Sequence, residues 1–165
     1  MHGLDDAIRA MTAARSAYGR SVTLLSAEAA ACFAGAPWWM GLVAEARRRL
    51  PEVACRELLD CGDSADRALE ALRLGARALV LREPDQGTDP GSAGRRAALM
   101  ARATALDALV LPERPAALDL AAPDAARALP GWLDGGAATV QGAEQRRDPP
   151  PWPGDGREPA GGNGS

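Results

Sequence analysis

The sequence predicts an α/β fold in which a parallel sheet of about four strands alternates with helices, as in a half-barrel or a flavodoxin-like domain. Short apolar runs alternate with longer segments of helical spacing, which is typical of βαβ units. Two of those runs, ALVL at 78–81 and at 108–111, are continuously apolar, as strands buried on both faces are. Aromatic residues make up only 4% of the chain, so the core must consist mainly of Leu, Val and Ala.

Three regions follow from the spacing along the chain. Residues 1–20 contain an amphipathic helix, because Leu4, Ile8 and Met11 share one helical face and acids occupy the first turn. Residues 21–135 form the α/β domain. Residues 136–165 are rich in Pro and Gly and carry little apolar periodicity, so we expect a disordered tail.

Within the α/β domain, each apolar run is followed by a helical pattern. The predicted strands lie at 21–26, 53–59, 76–81 and 108–111. The second helix is predicted over 38–50, with Pro37 near its first turn and three arginines in its last. A further helix begins near Ser64 and ends before Gly75, another follows the turn-rich loop at 83–94, and a short one begins at Pro123.

Composition argues against several classes of partner. The net charge is -3, and no basic patch of the kind that binds a phosphate backbone stands out, so we expect no nucleic-acid partner. The longest uncharged run is interrupted by Gly35 and Pro37 and is too short for a spanning helix, so we expect no membrane association. Asp5 and Asp6 stand where a secretory signal would be basic, which together with three unevenly spaced cysteines favours the cytoplasm.

One segment resembles known families. The stretch ALEALRLGARALVL, Ala68 to Leu81, resembles the helix–strand units of TIM-barrel enzymes and is similar to the fourth helix and fifth strand of response-regulator receiver domains. The resemblance implies a half-barrel or an open, doubly wound sheet. A receiver domain would also carry acidic residues after its first strand, an Asp at the end of its third and a Lys after its fifth. This chain has Ser26, Arg82 and no lysine, so no family is assigned and no catalytic residue is carried over.

Candidate functional residues lie where the predicted strands end, because parallel sheets bind ligands beyond the carboxyl ends of their strands. The candidate ligand-binding residues at these ends are Ser26, Arg82, Glu113 and Arg114. Asp60 and Asp63 could form a carboxylate pair in which one group acts as acid or base. The alternative is that Asp63 or Ser64 caps the following helix while Asp60 accepts hydrogen bonds from the loop.

The cysteines and the histidine point away from nucleophilic or metal chemistry. Cys61 stands at a helix start, where a thiolate would be favoured, but the only histidine is His2, so a Cys–His pair is not expected. Cys55 and Cys61 lack the two-residue spacing of a zinc or redox motif. We therefore expect no metal, no cofactor and cysteines that serve as small buried side chains.

The adjacent tryptophans are the most distinctive feature outside the strand ends. Neighbouring helical residues point about 100° apart, so Trp38 and Trp39 cannot both face one core. One of them should lie at a surface, a pocket rim or an interface, and tryptophan is enriched at binding hot spots. Ordinary packing against the N-terminal helix is the alternative.

Two functional hypotheses remain. The first is a non-catalytic binding or accessory module of a cytoplasmic complex, which acts through the strand-end loops and an exposed Trp, with a protein partner or self-association covering the sheet edges. The second is a small lyase or isomerase acting on an anionic metabolite, with Asp60 or Asp63 as base and Arg82 or Arg114 as anion clamp. The absence of lysine and the single histidine favour the binding module.

Overall fold

The computed structural model describes residues 1–16, 21–83 and 91–133, without the side chain of Ser92. The predicted tail at 136–165 and the middle of the loop at 83–94 lie outside the described residues. In chain order the described elements are α1 (Leu4–Ser16), β1 (Val22–Leu25), α2 (Ala30–Phe33), α3 (Ala36–Arg49), β2 (Cys55–Asp60), α4 (Ala65–Arg73), β3 (Ala78–Val80), α5 (Ser92–Ala105), β4 (Leu109–Leu111) and α6 (Ala125–Leu133).

The strands form one four-stranded parallel sheet in the order β1-β2-β3-β4. Val22 pairs with Cys55 at the first interface, Leu59 with Leu79 at the second, and Ala78 with Leu109 at the third. The predicted α/β fold, with a small parallel sheet, alternating helices and an N-terminal helix, is therefore confirmed.

The strand order distinguishes the two arrangements that the sequence left open. Parallel crossovers are right-handed, so a sheet whose strands run in sequential order carries its helices on one face. A flavodoxin-like sheet reverses its order at a switch point and carries helices on both faces. The sequential order observed here has no switch point, so it is not the flavodoxin-like order.

The two faces of the sheet have separate apolar clusters. On the helix face, Leu59 and Leu79 are fully buried against a large core that includes Met11 of α1 and Trp39 of α3. The opposite face carries a smaller cluster, which includes no helical residue among those described. Its members are Leu25, Leu58, Ala78 and Val80, with Leu109 and Leu111 packed against them. Both clusters consist mainly of Ala, Leu and Val, as expected for a chain with few aromatic residues.

The helix boundaries differ from the predicted ones in several places: α5 begins at Ser92, inside the predicted loop, and α6 begins at Ala125 rather than at Pro123. The short α2 was not predicted, because AACF is too brief to show helical periodicity. Helix α3 begins at Ala36, two residues earlier than expected, and Pro37 sits in its first turn, where a missing N–H costs nothing. Between them Gly35 adopts φ 83°, a conformation that glycine tolerates and that lets the chain turn sharply.

Candidate functional site at the carboxyl ends of the strands

Backbone hydrogen bonds bring the first three strand ends together. The N–H of Ser26 donates to the carbonyl of Leu58 at 3.0 Å, and that of Cys61 donates to the carbonyl of Val80 at 2.9 Å. Beyond the strands, the N–H of Arg82 donates to the carbonyl of Gly62 at 2.7 Å. The residues after β1, β2 and β3 therefore lie side by side, as expected for parallel strands.

Ser26 and Asp60 form the buried polar centre of this edge. Both are fully buried, and they are the buried polar residues of the described chain. The Ser26 hydroxyl accepts from the backbone N–H of Asp60 at 2.9 Å and donates to the carbonyl of Ala27 at 3.0 Å. The Ser26 hydroxyl therefore uses both its donor and an acceptor position on nearby backbone groups.

The carboxylate of Asp60 is likewise occupied at both oxygens. Its Oδ1 accepts from the N–H of Gly62 at 2.8 Å, and its Oδ2 accepts from Nη1 of Arg114 at 2.7 Å. The Nη2 of the same arginine donates to the carbonyl of Ser26 at 2.7 Å. One guanidinium therefore joins the ends of β1 and β2 to the segment that follows β4, and its side chain remains 30% exposed.

Gly62 permits the turn that closes this network. Its φ is +60°, and a Cβ at this position would lie 3.3 Å from the Cβ of Ala29. Glycine alone avoids both the left-handed strain and the crowding. The turn aims the Gly62 N–H back at the Asp60 carboxylate, the local hydrogen bond that Asp side chains commonly make.

The two predicted carboxylates differ in their exposure to solvent. Asp63 is exposed, whereas Asp60 is fully buried. Ser64, rather than Asp63, caps α4: its Oγ accepts from the N–H of Arg67 at 3.3 Å. The surroundings of these residues therefore resemble the capping and loop-bonding alternative more than a shared-proton pair.

The remaining predicted ligand-binding residues, Arg82 and Glu113, make no hydrogen bond to Asp60, although the Arg82 guanidinium lies beside the Gly62 turn. The Nη1 of Arg82 lies 2.6 Å from Oε1 of Glu28, and this hydrogen bond raises the pKa of the arginine. Glu113 is exposed. Arg96, which the sequence did not single out, donates to the carbonyl of Arg82 at 3.1 Å and pairs with Glu83. Arg82 and Arg114 thus each face a carboxylate of the chain itself.

The cysteines are free thiols with little tendency to ionise. Burial raises the pKa of Cys61 to about 12 and that of Cys55 to about 11. Cys32 is exposed, and its pKa is raised first by partial burial and then by the charge of Asp63. The position of Cys61 before α4 therefore does not produce a reactive thiolate.

The tryptophan pair divides between core and surface, in keeping with their angular separation. Trp39 is fully buried, and its Nε1 finds no hydrogen-bond partner. Trp38 is 38% exposed, with its ring centroid 6.3 Å from that of Trp39. Phe33, on the other side of the α2–α3 turn, is 71% exposed. Phe33 and Trp38 together are called the aromatic corner below.

The aromatic corner lies at the same end of the sheet as Asp60. The Sγ of Cys32, the residue before Phe33, lies 3.5 Å from the carbonyl of Cys61. Phe33 was missed at the sequence level because a lone aromatic in an Ala-rich stretch is usually a core residue. Its exposure depends on α2, which the sequence did not reveal.

The parts of the chain that the structure describes contain neither a metal-binding cluster nor a helix suited to crossing a membrane. There, no set of three or more His, Cys, Asp and Glu side chains is grouped to hold a metal ion. None of the helices over 1–16, 21–83 and 91–133 combines the length and apolar character of a bilayer span.

Fold and site together define a small α/β domain with a sequentially ordered parallel sheet, in which Arg114 occupies the acceptors at the ends of β1 and β2. The chain matches no protein-family model, no curated protein and no solved structure.

Proposed function

We propose that the chain is a non-catalytic protein-binding module whose contact surface is the aromatic corner. The observation that carries this proposal is the exposure of Phe33, the only phenylalanine of the chain, at 71%, together with that of Trp38, in the first turn of the following helix, at 38%. Aromatic side chains dominate interface energetics, and neighbouring exposed apolar residues mark interaction sites.

The position of the corner supports the same proposal. Strand-end loops are where α/β domains place recognition residues, because a rigid sheet holds them. Here α2 and the start of α3 are held against the sheet by buried alanines, Ala30, Ala31 and Ala36. The helices that carry the corner are therefore packed in place, and a preorganised surface binds at a lower entropic cost.

The enzyme alternative draws less support from the site. A general base needs an oxygen within hydrogen-bond reach of the substrate proton. Asp60 is fully buried and uses both oxygens on Gly62 and Arg114, and Arg82 is paired with Glu28. A lyase or isomerase would have to dismantle this network before it could bind an anionic metabolite.

The proposed partner is a polypeptide, either a second copy of the chain or another protein of a cytoplasmic complex. Free thiols at Cys32, Cys55 and Cys61 suit a reducing compartment. The β1 and β4 edges of the sheet are further candidates for coverage by that partner.

Two arms of one experiment test the proposal. Sedimentation velocity over a range of concentrations compares the wild type with F33S/W38S and with the matched exposed-apolar control L74S/M100S. In parallel, a photo-reactive residue at Phe33 or, as control, at Leu74 captures contacts in the source cell, and each captured protein is purified and tested for direct binding. Association that depends on the aromatic corner in either arm is expected. Its absence from both arms would contradict the proposal.

A further inference from the structure

The network around Asp60 has the form of an occupied binding site. Its acceptors come from two strands, the carboxylate Oδ2 of Asp60 at the end of β2 and the carbonyl of Ser26 after β1. Each accepts one Nη of the same guanidinium at 2.7 Å. A planar fork of two donors matches two fixed acceptors, whereas an ammonium group acts as a point donor.

The group that fills the site belongs to a weakly attached segment. Residues 112–118, called the strap, connect β4 to the region before α6. Among the hydrogen bonds between described residues, none involves the backbone of the strap. Its polar attachment is the side chain of Arg114, and its apolar attachment includes Leu118, which packs partly buried against the core.

The crevice does not depend on the strap for its own shape. Ser26 is held by Leu58 and by the N–H of Asp60, and Asp60 is held by Gly62, all through contacts within the β1 and β2 ends. Segments with few backbone hydrogen bonds open more readily than the core, so the main cost of opening the strap is the loss of the Arg114–Asp60 pair. Displacement of the strap would therefore expose preformed acceptors.

We propose that the Ser26–Asp60 crevice is a binding site for the guanidinium group of a ligand, and that Arg114 fills this site from within the chain until the strap is displaced. A ligand guanidinium replaces one charge-assisted pair by an equivalent one, so the exchange costs mainly the opening of the strap. The crevice thereby recognises guanidinium chemistry, whether carried by a small molecule or by an arginine side chain of a polypeptide. This inference does not use the aromatic corner and goes beyond the proposed function.

The first test removes the internal occupant. Arg114→Ala is compared with the wild type and with Arg77→Ala, an exposed arginine just before β3, at the other end of the sheet. The probe is guanidinium chloride at low millimolar concentration, with tetramethylammonium chloride as the salt control. The Tm of Arg114→Ala is expected to rise with guanidinium alone, and the rise is expected to vanish in D60N/R114A. Equal responses to the two salts would overturn the proposal.

The second test uses the native protein and separates a ligand site from a merely structural ion pair. The wild type is titrated, in separate arms, with L-arginine and with a short arginine-containing peptide. The side-chain Nε–H signal of Arg114 and the amide signal of Gly62 are followed by NMR. Displacement of the strap is expected to move both signals. The apparent affinity of the wild type for each probe is expected to be at least about tenfold weaker than that of Arg114→Ala, because the strap of the wild type is closed most of the time.

The two arms identify the source of the guanidinium. A response to L-arginine supports a small-molecule ligand, and a response to the peptide alone supports a polypeptide ligand. If neither probe moves the Arg114 and Gly62 signals of the wild type, the arginine is only structural and the proposal is overturned. The NMR titration of the wild type tests the proposal even if Arg114→Ala fails to fold.

Discussion

The Nη1 of Arg114 lies 2.7 Å from Oδ2 of Asp60, although 54 positions separate the two residues in the chain. Asp60 is 1% exposed at its side chain and Arg114 is 30% exposed, so the carboxylate depends more on the pair than the guanidinium does. Loss of a charge partner is most costly for the more deeply buried member. The contact joins the first half of the sheet to the segment after its last strand.

Asp60→Ala is expected to lower the free energy of unfolding by about 2–4 kcal/mol, because it leaves the buried N–H of Gly62 and the Arg114 guanidinium without their acceptors. Urea denaturation measures this loss. Asp63→Ala is the matched control: Asp63 is exposed, so a change within about 0.5 kcal/mol is expected. Equal effects of the two substitutions would contradict the assigned role of Asp60.

Substitution by alanine is expected to change the stability of the protein in opposite directions at two glycines. Gly62→Ala is expected to destabilise the protein by about 1–2 kcal/mol, because φ is +60° and the new Cβ would meet that of Ala29. Gly94→Ala is expected to stabilise it by about 0.5–1 kcal/mol, since this residue lies inside α5 with nothing within 4 Å of an added Cβ. Thermal unfolding of both variants checks the pair, and a stabilised Gly62→Ala would show that the described turn is wrong.

Because Cys55 and Cys61 are partly or fully buried, we expect the free energy of unfolding to fall at alkaline pH. A thiol of ordinary pKa 9.0 ionises in the unfolded chain, whereas burial raises the pKa of Cys61 to about 12 and that of Cys55 to about 11 in the folded state. The unfolded state therefore releases protons first, and the free energy of unfolding falls as pH rises from 9 towards 12. Well below pH 9 both thiols are neutral in both states and contribute no slope.

Urea denaturation at several pH values from about 8 to about 11 measures that decline. Cys61→Ala is expected to give a shallower decline than the wild type, because the thiol whose pKa is raised most is gone. An unchanged slope would mean that Cys61 ionises in the folded protein as it does in the unfolded chain.

The fold could be predicted from the sequence because its signals are local. The two ALVL runs and the helical stripes between them have the periods of buried strands and amphipathic helices, and these decide the class of fold. The strand order could not be deduced in the same way, since half-barrel and flavodoxin-like sheets share the same local units. The order depends on long-range pairing such as that of Leu59 with Leu79.

The site was predictable only in part. Ser26, Asp60 and Arg114 were named because parallel strands place their ends together, and the structure brings these three into contact. The side-chain partners of the predicted residues could not be predicted, because a long side chain such as that of arginine can reach several neighbours. Arg82 is paired with Glu28, a residue that carried no signal, and Phe33 is exposed by a helix of four residues.

The most direct test of the binding-module account is the affinity of a purified partner, or of a second copy, for the wild type and for F33S/W38S. Replacing two hot-spot residues is expected to weaken binding by at least about 100-fold, since truncation of each such residue costs roughly 2 kcal/mol or more. L74S/M100S, in which two other exposed apolar residues are replaced, should bind as the wild type does. Wild-type affinity in F33S/W38S, with both proteins folded, would contradict the central claim that the aromatic corner is the contact surface.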